Sequence, residues 1–158
     1  MKLIVALVLW FASACMVVAA PWKTDKFETG VMVQYSASQS SEGEEYYLVV
    51  ECQVPAKWSI YVESPYDWQD GVSYPREIDT TLLADDKPLT GMKFGFDDRQ
   101  LGEGIVAFAA GQEEAFAATL EAMASAGSVI ELGYADRRAR FSPEGSSAAI
   151  RYVRDNCR

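Results

Sequence analysis

The chain has 158 residues, of which 49% are apolar and 12% aromatic, with 14 Lys plus Arg against 23 Asp plus Glu and a net charge of −9. That length supports one domain with a true core, the apolar content excludes a disordered tail, and the acidity removes the counterion release that drives nucleic-acid binding, so no nucleic-acid partner is expected. No histidine is present, which excludes Ser-His and Cys-His catalysis and zinc sites that need imidazole.

Residues 1–20, MKLIVALVLWFASACMVVAA, join one lysine to an apolar run and end in small residues, the pattern of a bacterial secretory signal peptide. Pro21 is a poor first residue for a mature chain, so residues 1–19 are assigned to the leader and residues 20–158 to a single β-rich domain. The alternatives are an uncleaved N-terminal anchor and lipidation at Cys15, since Ala12-Ser13-Ala14-Cys15 resembles a lipobox. Each places the domain outside the cytoplasm, in the periplasm or secreted, and cleavage leaves no stable membrane insertion. Cys52 and Cys157 remain after cleavage, and an even pair in an oxidising compartment reads as a disulfide.

Period-two alternation dominates the first two thirds of the chain. Val31, Val33 and Tyr35 begin one expected strand, and the polar, Ser-rich stretch 36–45 reads as a mobile loop. Tyr46, Leu48, Val50 and Cys52 share one face of the next strand, which points Cys52 into the core. A turn at Val54-Pro55-Ala56 leads to Trp58, Ile60 and Val62, predicting an antiparallel hairpin with Trp58 as a core anchor. Further strands are expected over residues 78–83 and around Met92, Phe94 and Phe96, with turn chemistry at Asp85-Asp86-Lys87-Pro88. Residues 105–110 are apolar on both faces, which predicts a strand in mid-sheet.

The period then lengthens. Phe116, Leu120, Met123 and Ala124 predict a helix over residues 112–126, with Glu113 and Glu114 at its anion-favouring start and Gly127 as its cap. Ile130, Leu132 and Tyr134, then Ala139 and Phe141, predict two strands. Ser146 is expected to cap a last helix that buries Ala149, Ile150, Val153 and Cys157 and exposes Arg151, Arg154 and Arg158. The fold class is therefore mainly β (α+β): an antiparallel two-sheet β-sandwich with two short helices in the C-terminal third, a small closed barrel being the alternative.

Residues 64–76, SPYDWQDGVSYPR, are expected to form a long connection that presents Tyr66, Trp68 and Tyr74 beside Asp67 and Asp70. Aromatic loops on a rigid sheet are common recognition surfaces, and these five residues are the candidate binding site. The other reading folds Trp68 back over the core. Carboxylate pairs at Asp85 and Asp86, Asp97 and Asp98, and Glu113 and Glu114 carry no glycosidase signature, neither acidic loop matches a calcium motif, and no glycine loop cradles phosphate, so no catalytic residue, metal or cofactor is expected.

Residues 112–158, with AFAATLEAMASAG, then VIELGY, then a strand ending in Phe141, then Gly145-Ser146-Ser147-Ala148-Ala149-Ile150 opening a helix that ends in Cys157, resemble the ending of small exported bacterial domains of the invasion-associated locus B and type VI secretion-associated accessory types. The resemblance implies a periplasmic β-sandwich without enzymatic activity and with an accessory or interaction role. The acidic body before Arg137 carries seven basic and 21 acidic residues when counted from Ala20, and it fits a cationic envelope protein as partner, an inhibitor or immunity role being one form of this. A glycan-binding or glycan-cleaving domain, with Trp68 and the tyrosines stacking on sugar rings, is the alternative.

Overall fold

The computed structural model describes residues 21–43, 45–67, 77–97 and 102–157. The leader with Cys15, and Trp68, Asp70 and Tyr74 of the expected binding loop, lie outside the described residues. Among the described residues, ten strands and two helices run in the order β1 (Lys23–Thr29), β2 (Met32–Ser40), β3 (Tyr47–Gln53), β4 (Lys57–Asp67), β5 (Thr80–Ala84), β6 (Lys87–Leu89), β7 (Gly95–Asp97), β8 (Gly102–Phe108), α1 (Glu113–Ser125), β9 (Ile130–Tyr134), β10 (Arg137–Phe141) and α2 (Ser146–Asn156). One sheet has the order β1-β2-β3-β4-β8-β7 and the other β10-β9-β5-β6, all neighbours antiparallel. This is the expected mainly β sandwich with two short helices. Single bridges, Ser41 to Phe141 and Ile78 to Phe94, join the sheets at two corners.

Register shows why the alternation works. Ala37, Val50, Ile60 and Ala107 are successive partners across four strands, and all four are buried on the inner face. The next row of the same face is Tyr35, Cys52 and Trp58. All but Tyr35 and Trp58 of these residues are fully buried; those two are half-buried and pack against the core. Sheet and helix residues form one cluster that includes Leu48, Val62, Ile105, Phe116, Met123, Leu132, Phe141 and Ile150.

Several expectations change. The stretch from Ser36 is not a loop: β2 continues to Ser40, with Ala37 and Gln39 buried. Its small side chains alternate under α2, which packs across β1, β2 and β3, so the segment is strand because a helix covers it and not because it is apolar. Val31 lies in the β1–β2 turn and is 98% exposed. Strand β1 was not foreseen, because every one of its seven residues is exposed and no apolar period exists. Its lysines and carboxylates suit an edge that must not pair with another chain, and Pro88 does the same on edge strand β6.

The expected connection over residues 64–76 begins later, since β4 runs on through Tyr66 to Asp67 and pairs again at Gly102 after a register shift. Strand β8 lies between β4 and β7, as a mid-sheet strand should, but its last residue Phe108 is 47% exposed. Gly127 does not cap α1; Ala126 ends the helix in an extended conformation. Ser146 is not a cap either. Gly145 holds that position at φ +85, where a side chain would be strained, and Ser146 is the first helical residue.

Candidate functional site

Cys52 and Cys157 are joined, with their Cα atoms 6.0 Å apart and a sequence separation of 105. The separation is ordinary for a disulfide. The bond belongs to a larger pattern, because each member of the Tyr35–Cys52–Trp58 row contacts a helix. Tyr35 meets Tyr152 of α2 edge-on at 6.0 Å between ring centroids, Cys52 bonds Cys157, and Trp58 meets Phe116 of α1 edge-on at 6.4 Å. One sheet row thus orients both helices.

Helix α1 is held at both ends. At its start the Gln112 side chain donates to the Phe108 carbonyl at 2.7 Å and to the Lys93 carbonyl at 3.1 Å, and accepts from the Lys93 N–H at 2.7 Å. The Ser146 hydroxyl donates to the Met123 carbonyl at 2.9 Å, satisfying one of the acceptors that a helix end leaves open. Just past its end, Gly127, Ser128 and Val129 all donate backbone N–H groups to the Asp85 carboxylate, at 2.8, 2.7 and 3.2 Å, and the Ser128 hydroxyl adds a fourth bond at 2.7 Å. These donors, the Gly127 N–H foremost, hold the Asp85 carboxyl well below the usual aspartate range.

Between this fixed helix and the start of β4 lies a cleft of about 780 Å3. Trp58, Phe108, Phe116, Ala117 and Leu120 are the chief part of its apolar lining, and Glu51, Gln53, Lys57, Ser59, Glu113 and Arg154 are its polar and charged members. Its size and its apolar walls with few polar groups match those of ligand sites. The two carboxylates are already engaged. Glu51 accepts from the Gln34 amide at 2.6 Å and from the Ser59 hydroxyl at 2.7 Å. Glu113 accepts from the Gly111 N–H at 2.9 Å, and that bond, followed by one from its own backbone, lowers its pKa.

The two cations differ. Arg154 touches Glu121 at 3.5 Å with both side chains more than half exposed, a contact of little strength. Lys57 is exposed and has no ion-pair partner among the described residues.

A groove of about 790 Å3 on the other sheet is of different character. Its Glu131 lies 3.8 Å from Arg138 and 3.8 Å from the neighbouring Arg140. Among the described residues no group of three cysteines or carboxylates converges as metal ligands do, and no helix is long and apolar enough to cross a membrane.

Of the residues singled out in the sequence, Tyr66 and Asp67 are placed on the last stretch of β4, far along the strand from Trp58. The cleft residues were not foreseen as a site. Trp58, Phe116 and Leu120 read as core by periodicity, and Phe108 as mid-sheet. The one available signal was an aromatic closing a strand just before a helix. No family model, curated protein or solved structure matches this chain.

Proposed function

We propose that this chain is an exported, non-enzymatic binding module, and that the cleft between β4 and α1 is where it holds what it binds. The observation that carries the reading is the combination of an apolar lining, made by Trp58, Phe108, Phe116 and Leu120, with a helix wall that Gln112, Ser146 and Asp85 keep in place. A preformed cleft loses little freedom on binding. The leader-like residues 1–19 and the Cys52–Cys157 bond support export. A non-enzymatic role is supported by the two cleft carboxylates, both held by protein donors and so poorly suited to exchanging protons with a substrate. The helix-strand-strand-helix order from Glu113 to Asn156 is in keeping with an accessory domain of the invasion-associated locus B type.

The test places a photoreactive benzoylphenylalanine at Ala117, which lines the cleft, and separately at Thr81, which lines the far groove. Irradiation in an envelope extract is expected to give a discrete adduct from position 117 and none from 81. Equal labelling at both, or none at either, overturns the cleft as the binding seat.

A second reading rests on the charge of −9: a cationic envelope protein steered to the acidic body, with Tyr66, Asp67, Trp68, Asp70 and Tyr74 as its contact loop. Its mark is an association rate that falls steeply with salt; a salt-independent rate overturns it.

A further inference from the structure

From the balance of charge around the cleft we infer that what it takes is a cationic amphipathic segment of a partner protein, with apolar side chains for the lining and Lys or Arg beside them for the start of α1. The inference rests on the cleft being the binding seat. It seats a basic partner on α1 and not on the loop singled out in the sequence.

Helix α1 reads EEAFAATLEAMAS and holds no basic residue. It buries Phe116, Thr119, Leu120 and Met123. Its exposed positions include Glu113, Glu114, Ala117, Ala118 and Glu121, so carboxylates bracket two short alanine side chains. Glu113 and Ala117 themselves line the cleft, and Glu121 directly follows Leu120, another lining residue. The acidic surface of the helix is therefore continuous with the apolar wall.

The charges here do not cancel. Arg154 already has Glu121 beside it at 3.5 Å. Glu113 and Glu114 have no ion-pair partner among the described residues, and neither has Glu51, whose hydrogen bonds come from the uncharged Gln34 and Ser59. Neutral donors leave a carboxylate its charge, and the Gly111 N–H that Glu113 accepts favours the ionised form. Against these three carboxylates, Lys57 is the one unmatched cation among the described lining residues. An apolar segment bearing Lys or Arg gains both burial and charge attraction at this wall, whereas an anionic one meets a surplus of its own sign. The net charge of −9 steers the same cationic partner from a distance.

Fluorescence anisotropy with the intact chain and three labelled helical peptides tests this: one with leucine on one face and lysine on the other, one with glutamate in place of lysine, and one with serine in place of leucine. The leucine–lysine peptide is expected to bind one to one, and the other two at least about tenfold more weakly. Glu113→Gln with Glu114→Gln, which keeps an acceptor for the Gly111 N–H, should weaken that binding about fivefold at low salt, as loss of two exposed ion pairs does. Asp79→Asn with Asp136→Asn removes the same charge from the far groove and should change the binding little. Ala117→Trp, which fills the cleft, should abolish it, and the thermal midpoint of each variant checks that it is folded.

If the leucine–glutamate peptide binds as tightly as the leucine–lysine one and Ala117→Trp abolishes both, the cationic-partner inference falls while the cleft stands. It falls equally if the serine–lysine peptide binds as well, or if the far-groove pair of changes weakens binding as much as the α1 pair, since overall acidity then suffices. If no peptide binds in an Ala117-dependent way, the inference falls, and the crosslinking experiment decides separately whether the cleft falls with it.

Discussion

The hydroxyl of Ser146, the first residue of α2, donates at 2.9 Å to the carbonyl of Met123 in the last turn of α1, and both residues are almost fully buried. A serine that the local sequence offers as a helix cap is instead the cross-link between two helices. The donor satisfies an acceptor that would otherwise be sealed away from water at a helix end.

Ser146→Ala therefore leaves the Met123 carbonyl buried and unpaired. Its expected cost is about 1 to 3 kcal/mol, the range for orphaning a buried polar group. Urea unfolding of the two proteins measures it. A midpoint identical to that of the parent would mean that the bond contributes nothing.

Reduction of the Cys52–Cys157 bond, or the paired Cys52→Ala and Cys157→Ala changes, opens a loop of 105 residues. Chain-entropy arguments place the loss at about 4 to 5 kcal/mol, comparable to the whole stability of many domains. Thermal unfolding with and without dithiothreitol should separate by many degrees. Coincident transitions would show that the bond ties together parts already held by packing.

Asp85 supplies a pH dependence whose sign is determined. Its folded pKa is depressed by the Gly127, Ser128 and Val129 donors, so its contribution is complete above the unfolded aspartate value near about 4 and is lost as pH falls toward the folded value. Asp85→Asn should be less stable than the parent at neutral pH, and the gap should narrow as both are acidified. Denaturant midpoints from about pH 6 down to about pH 2 test this; parallel curves would remove the carboxylate from the account.

Ala37 lies fully buried on the strand that α2 packs against most closely. Ala37→Leu adds volume where helix and sheet already meet, and is expected to cost about 1 to 3 kcal/mol by overpacking. Ser38→Thr, one residue along on the opposite face of the strand, is the control that should change little. Equal effects of the two would mean that α2 does not press on β2 as described.

The reach of sequence reasoning can be followed residue by residue. Tyr46, Leu48, Val50 and Cys52 are buried as their alternation requires, and Ala149, Ile150, Val153 and Cys157 as helical spacing requires. Burial of one face stamps its period on the chain, so these elements were legible. Strand β1 has no buried face and left no period, and the small side chains of β2 under α2 imitate a polar loop.

The cleft was illegible for a related reason. Trp58, Phe116, Leu120 and Phe108 each have a local pattern that says core or mid-sheet, and nothing local says that the packing stops short between them.

The sequence by itself determined the two cysteines' common fate, the buried faces of the central hairpin and of α2, and the succession of strands and helices, because each follows from side-chain period and from the chemistry of an even cysteine pair. Only the tertiary structure decided the edge strand, the pairing of Ser146 with Met123, the clamp of Asp85 and the cleft itself. The last three depend on groups at least 23 residues apart meeting in space, a matter settled by how sheet and helices pack and written in no single stretch of chain.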